Sequence, residues 1–328
     1  MRKLVSIQEV LDVQPIEGAD AIEVARVLGW SVVIKKGEFA VGDKVVYAEI
    51  DSVFPEKEEF EFLRRGKFRI KTMKLRGQVS QGICFPLSIL PEGDYEVDQE
   101  VTDLIGVTKY EPKIPACLVG VKKGDFPSFI PKTDETRVQV RQRQLTDNKG
   151  AVCVITEKLD GTSTTFFQRE GEFGVCSRNM VLLEDEDNTY WKMAKKYDVQ
   201  EKLRLFGRNI ALQGETIGVG IQSNKYKLED NQFFLFNIYD IDAGGYVDYD
   251  ELVLFAKILE LPLVPILDDN FILHDDIDQY VEEAKGFSVL NKKTKREGVV
   301  IKLKEHMPGE GYSFKAISPD FLLKFGDE

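Results

Sequence analysis

Over the first hundred residues, apolar and polar positions alternate in short runs broken by glycine. The segment VVIKKGEFAVGDKVVYAEI turns at Lys36-Gly37 and at Val41-Gly42-Asp43, and its period-two alternation predicts strands on either side. FRIKTMKLRG and GICFPLSIL continue the pattern, and a short helical segment near Ala19–Ile22 is expected to interrupt it. Short strands between glycine turns predict a small all-β barrel over residues 1–110. Residues 111–131 hold Pro112, Pro115, Pro127 and Pro131, four of the chain's 12 prolines, and read as a linker. From 132 to 328 the period is mixed. CVITEKLDGTSTTFFQR reads as a strand, a tight loop and a strand, and NIALQGETIG, FFLFNIYDI, EGVVIKLK and YSFKAIS as further strands. YWKMAKKYDVQEKLRLFG is predicted to be one amphipathic helix ending at Gly207, and YDELVLFAKILEL another. Helices around antiparallel sheet make an α+β domain, so the fold expected is multi-domain, a barrel followed by α+β.

Composition narrows what this frame can do. The chain has 328 residues, 43% of them hydrophobic, which suits two globular domains and is too apolar for disorder. No run approaches the 18 or so apolar residues of a membrane span, and MRKLVSIQEV has no signal-peptide apolar core, so a cytoplasmic protein with no membrane partner is expected. Cys84, Cys117, Cys153 and Cys176 are too scattered for a zinc site or a disulfide frame. His274 and His306 are the only 2 histidines, which disfavours His-based triads. The chemistry falls to lysines, carboxylates and a bound cation.

The net charge is −12, a poor global match to a polyanion, yet it is unevenly spread. RRGKFRIKTMKLR, from Arg64 to Arg76, contains seven basic residues and no acid, and further basic stretches run over Arg137–Lys149 and Lys292–Arg296. Acids gather at Glu184–Asp187 and Asp268–Asp278, the latter read as a solvated helix or loop edge. With screening over about 8–10 Å, a local basic patch can bind phosphates despite the overall sign.

The segment Thr156-Glu157-Lys158-Leu159-Asp160-Gly161 puts a lysine and an aspartate two apart, on one face of an extended chain, just before a glycine turn. Alone this spacing reads more readily as a surface hairpin. Downstream, in order, come Ser177-Arg178-Asn179, Gly214-Glu215-Thr216, Phe236-Asn237, Glu297-Gly298 with Lys302, and Ser313-Phe314-Lys315. The ordered set resembles the covalent nucleotidyltransferase superfamily of ATP-dependent ligases and mRNA capping enzymes. Only thirteen residues follow Lys315, too few for the barrel that usually follows the last lysine motif, and a barrel-like module precedes it instead. That layout resembles the RNA ligase branch with an N-terminal oligonucleotide-binding (OB) type domain and a C-terminal adenylyltransferase domain.

The resemblance implies that Lys158 attacks the α-phosphate of ATP, giving a lysyl-adenylate. AMP then passes to an RNA 5′-phosphate, and an RNA 3′-OH displaces it. Because a free lysine has a pKa of about 10.4, Lys158 is expected to be depressed by nearby positive charge from a divalent metal, Lys302 and Lys315. Asp160, Glu215 and Glu297 are implied ligands of Mg²⁺ or Mn²⁺, largely through water. Phe236 is expected to stack on adenine, and Glu157, Arg178, Glu215, Lys302, Lys315 and Arg137 to contact the nucleotide. The family's last motif often carries two lysines, but Ile317 stands two after Lys315, leaving open whether Lys324 substitutes. The expected partner is RNA with a 3′-OH/5′-phosphate nick, DNA-bridged or not, sealed by a monomer. The rival readings are a capping-type guanylyltransferase and a non-catalytic RNA-binding protein with a degenerate transferase domain. Trp30, His274 and His306 are read as core or surface residues without a chemical role.

Overall fold

The computed structural model describes residues 3–111, 121–304 and 312–326. Cys117, His306, Pro112 and Pro115 therefore lie outside the described residues. The chain forms two compact units, one of Met1–Lys113, Val138–Gln142 and Pro319–Glu328, the other of Ile114–Arg137 and Arg143–Ser318. Neither is a continuous stretch. A division at residue 132 assigns Val138–Gln142 and the C-terminal helix to the second domain, whereas they cluster with the first unit.

The first unit is built on β1 (Val5–Pro15), β2 (Ile22–Val27), β3 (Trp30–Lys35), β4 (Lys44–Ala48), β5 (Ser52–Val53), β6 (Met73–Leu75), β7 (Gln78–Ser80) and β8 (Ile83–Phe85). The main sheet runs β3-β2-β1-β4-β8, antiparallel throughout. A bulge in β1 between Val10 and Asp12 bends the strand, so that its first half pairs with β4 and its second with β2. The far edges then approach: Gln81 N–H donates to Ser31 O and Val33 N–H to Ser80 Oγ, each at 2.9 Å. The result is a nearly closed five-stranded barrel around Ile7, Trp30, Val32, Tyr47 and Phe85. Trp30 is core, as expected. The helix expected near Ala19–Ile22 is replaced by a hairpin turn. Gly18 is left-handed (φ 69°), Ala19 N–H returns to Ile16 O, and Ile22 already pairs with Lys35. FRIKTMKLRG is strand only at Met73–Leu75, because Phe68 and Ile70 are buried in irregular chain after a 3₁₀ helix at Glu58–Gly66. Helix α1 (Thr102–Ile105) and β9 (Thr108–Lys109) follow.

In the second unit, β10 (Lys122–Asp125), α2 (Gln142–Asp147), β11 (Val152–Lys158), β12 (Thr162–Arg169), β13 (Glu172–Cys176) and β14 (Met180–Leu182) come first; α2 starts on Gln142, which clusters with the first unit. Then come α3 (Thr189–Lys196), α4 (Val199–Phe206), β15 (Ile210–Ile217), β16 (Gln232–Asp240), β17 (Gly245–Tyr246) and α5 (Tyr249–Ile258). The unit closes with β18 (Ile266–Ile272), α6 (Ile277–Glu283), β19 (Gly298–Leu303) and β20 (Ser313–Ile317), while α7 (Pro319–Phe325) clusters with the first unit. Two antiparallel sheets result, β10-β14-β13-β12-β15-β16-β17 and β18-β11-β19-β20. One face of the larger sheet, carrying Phe166, Leu212 and Phe233, packs under α3, α4 and α5 through Trp191, Leu203 and Phe255. That burial leaves its other face, with Ser163 and Glu215, for chemistry.

Three expectations change here. β11 and β12 do not form a hairpin: they join different sheets, so the Lys158–Gly161 turn carries the chain from one sheet to the other. The single helix expected before Gly207 is two. Asp198 adopts a left-handed conformation (φ 51°) that ends α3 and starts α4, and each helix buries its own apolar stripe. The acidic run Asp268–Asp278 spans the edge strand β18 and the Asp276 N-cap of α6, where acids keep an exposed edge from pairing with other chains. Among the described residues no helix is long and apolar enough to cross a membrane.

Candidate active site

Strand register places the lysines. In the smaller sheet Lys158 is opposite Gly298, Val154 opposite Lys302, and Val300 opposite Lys315. Paired residues share a face and residues two apart do too, so Lys158, Lys302 and Lys315 project from the same face. The opposite face carries Cys153, Ile155, Val299, Ile301, Phe314 and Ala316, all buried. Gly298 is required by proximity: a Cβ there would lie 2.2 Å from Ala316 O, so any side chain would push β20 away from the lysine row.

Three carboxylates meet the lysines. Both Glu297 oxygens accept from Lys158 Nζ at 2.7 Å. Asp160 is ion-paired with Lys225 in the unit's interior, their side chains 7% and 8% exposed. Glu215, opposite Ser163 in the larger sheet, accepts the Gly161 N–H. Gly161 lets the turn press against β15, where a Cβ would stand 2.4 Å from Thr216 O.

The charges set the proton positions. Burial alone would depress Lys158, but Glu297, Glu215 and Asp160 outweigh it and hold the amine above its ordinary value. The expected depression is therefore not what the carboxylates around the ammonium produce. Burial pushes Glu215 up to about 8, with Glu297 and Asp160 adding to the effect and Lys158 opposing it. Burial lowers Lys302 to about 8. It lowers Lys315 to about 7, with help from Lys158 and Arg137. Three carboxylates thus gather around Lys158 and Lys225, and burial among them disfavours the charged form of Glu215. An all-oxygen donor set short of positive charge fits a hard divalent cation. Among the described residues no three such donors converge into a metal-binding group.

Other expected residues distribute as follows. Phe236 sits at a bulge in β16, where Gln213 pairs with Asn237 and Gly214 with Leu235. The unpaired extra residue is re-aimed, leaving the ring half-buried with the Lys302 ammonium 5.5 Å from its centroid. Lys302 Nζ donates to Phe236 O at 2.6 Å and to Asn237 Oδ1. Arg137 bridges in parallel to Lys315, and Lys315 N–H donates to Thr136 O at 2.8 Å. Arg178 is exposed and paired with Asp134 at 2.6 Å, an aspartate whose charge also acts on Lys315. The Glu157 side chain projects from the opposite face of β11, where it is buried and accepts the Val289 N–H at 2.8 Å. Lys324 is exposed on α7, its ammonium 4.9 Å from the Phe325 ring. Sequence reasoning missed Lys225 and Tyr226, and it gave Asn237 no role of its own. The only signal for the first two is the turn-rich stretch GVGIQSNKYKL after Glu215.

Comparison with known proteins fits this arrangement. An OB-fold domain model matches residues 4–87 and an RNA ligase model residues 151–317. The chain belongs to the RNA ligase family. Among solved structures, this RNA ligase is similar to an alanine variant of Naegleria gruberi RNA ligase with ATP and Mn. They share 42% identity, with 98% of this chain and 99% of that one covered at a TM-score of 0.92. The Naegleria gruberi RNA ligase with PPi matches at 41% identity, with 100% of both chains covered and a TM-score of 0.93. Another variant, with AMP and Mn, matches at 42% over 98% and 99%, TM-score 0.92. No curated protein sequence matched. The residues of this RNA ligase that match the family model include the whole lysine row and all three carboxylates.

Proposed function

We propose that the protein is an ATP-dependent, AMP-forming RNA ligase that seals RNA 3′-OH and 5′-phosphate ends at a nick, in RNA repair. The observation that carries this reading is the clamp of Glu297 on Lys158, on the face shared with Lys302 and Lys315. The Lys158 amine, its extra proton lost to solvent, attacks the α-phosphorus of ATP. An N–P bond forms and pyrophosphate leaves. An RNA 5′-phosphate oxygen then displaces Lys158, and the RNA 3′-oxygen displaces AMP. Lys315 and Arg137 face the phosphates, where fixed positive charge stabilises each pentavalent centre. Phe236 offers adenine a stacking face beside Lys302, and Arg178 supplies a planar fork for phosphate. Asp160, Glu215 and Glu297 would hold Mg²⁺ or Mn²⁺, which supplies the positive charge that makes Lys158 easier to deprotonate.

The N-terminal barrel is read as the RNA-binding module. Of the seven basic residues in Arg64–Arg76, Arg64 bonds Glu61 and Glu56, and Arg69 is buried against Asp51 and Tyr110. Arg65, Lys67, Lys71, Lys74 and Arg76 are the exposed remainder facing phosphate. The complementary strand is RNA or DNA, and the enzyme acts as a monomer in the cytoplasm, where the buried thiols of Cys84, Cys153 and Cys176 stay reduced. Incubation with α-labelled ATP and Mg²⁺ tests the reading. The denatured protein should retain label and Lys158→Ala should not; labelling by GTP alone would make it a capping-type guanylyltransferase, and no labelling a non-catalytic binder.

A further inference from the structure

The pairing of Asp160 with Lys225 is not explained by nucleotide chemistry alone. The chain from Gln222 to Lys227 is a loop in which Gln222, Ser223, Asn224 and Lys227 all adopt left-handed conformations (φ 43°, 57°, 46° and 55°). Non-glycine residues reach that region only at a cost in strain, which persists where surrounding contacts impose it. Here the contacts converge on the nucleophile turn. Lys225 grips the Asp160 carboxylate. The Tyr226 hydroxyl accepts the Asp160 N–H at 2.7 Å, and its ring is buried beside Leu159, Ile217 and Phe234. The same loop is tied to the segment leading into Glu297: Asn291 Nδ2 donates to Tyr226 O at 3.0 Å and Thr294 Oγ1 to Lys225 O at 2.7 Å. One loop thus joins the turn that follows Lys158 to the segment that carries its carboxylate partner.

We infer that Lys225 and Tyr226 are positioning residues for self-adenylation, Lys225 fixing the Asp160 carboxylate and Tyr226 its backbone, so that the Lys158 amine is aimed in line with the leaving pyrophosphate. This rests on Lys158 being the nucleophile. It predicts a split between steps, because aim matters where the amine is a reactant and not where RNA 3′-OH attacks an end already adenylylated.

The test uses the full chain with Lys225→Met, Lys225→Arg and Tyr226→Phe. Two rates are measured, label uptake at saturating ATP and sealing of a nick whose 5′ end is pre-adenylylated. Lys225→Met should slow uptake on the order of 10²-fold, the effect of misplacing a reacting group by about 1 Å. Tyr226→Phe, which strands one buried N–H, should slow it about tenfold. Lys225→Arg, which keeps the charge, should lie between wild type and Lys225→Met. Sealing of the pre-adenylylated nick should change by less than about threefold, within the scatter of surface substitutions. Equal losses in both steps, or unchanged uptake in Tyr226→Phe, overturn the inference; the latter decides it even if Lys225→Met fails to fold. A wild type that takes no label overturns the nucleophile reading first, and this one with it.

Discussion

Replacing Lys158 with methionine keeps most of the side chain's volume and removes its charge, stranding the Glu297 carboxylate that both oxygens now anchor at 2.7 Å. The two side chains are 25% and 15% exposed, so water relieves little of the loss. The stranded group can escape by taking up a proton, and that escape caps the cost. Neutralising a carboxyl of reference pKa about 4.3 costs about 3.7 kcal/mol at pH 7 and about 1 kcal/mol at pH 5, at 1.36 kcal/mol per unit. The pH 7 cap falls within the range of about 3–5 kcal/mol measured when one partner of a buried pair is removed. For a unit of this size the melting temperature should fall by roughly 7–15 °C at pH 7 and roughly 2–4 °C at pH 5. Scanning calorimetry in chelator at the two pH values reads this directly. Adding Mn²⁺ at 100 times its Kd should return about 2.7 kcal/mol, because a cation takes the place of the ammonium. A variant as stable as wild type at pH 7, or equally destabilised at both pH values, would refute the clamp.

Three other outcomes follow from the same geometry. Glu215 is held at about 8, so a proton competes with a divalent ion below that value; Mn²⁺ affinity measured by calorimetry should rise with pH until about 8 and flatten, and Glu215→Gln should remove the slope. The sign for stability is opposite: the raised Glu215 favours the folded state at low pH, and this contribution fades between the ordinary carboxyl value and about 8, so metal-free thermal scans of Glu215→Gln should lose that decline. Changing Lys71, Lys74 and Arg76 together to Gln should lower the slope of log RNA affinity against log salt by about 2 to 3, leaving label uptake from ATP intact; an unchanged slope removes the patch from the RNA interface.

The chemistry was legible because it is local. Lys158 and Asp160 flank one residue, and Glu297 with Lys302 and Ser313 with Lys315 follow in an order that is visible before any pairing is known. The barrel was legible in its glycine turns, but not the hairpin at Gly18 or the break at Asp198, where helical spacing continues through a residue whose backbone reverses. Glu157 shows the limit most plainly. It adjoins Lys158 in sequence, and strand alternation sends it to the opposite face.

What the sequence determined by itself was the set of reacting groups and their order, because residue type and short spacing are properties of a covalent chain. What only the tertiary structure decided was which groups meet: Asp160 with Lys225 sixty-five residues on, Lys158 with Glu297 one hundred and thirty-nine on, and Phe236 freed by a bulge. Those partnerships depend on strand register and on a loop held in strained backbone, and neither leaves a period in the sequence because both arise from contacts between segments that are distant along it.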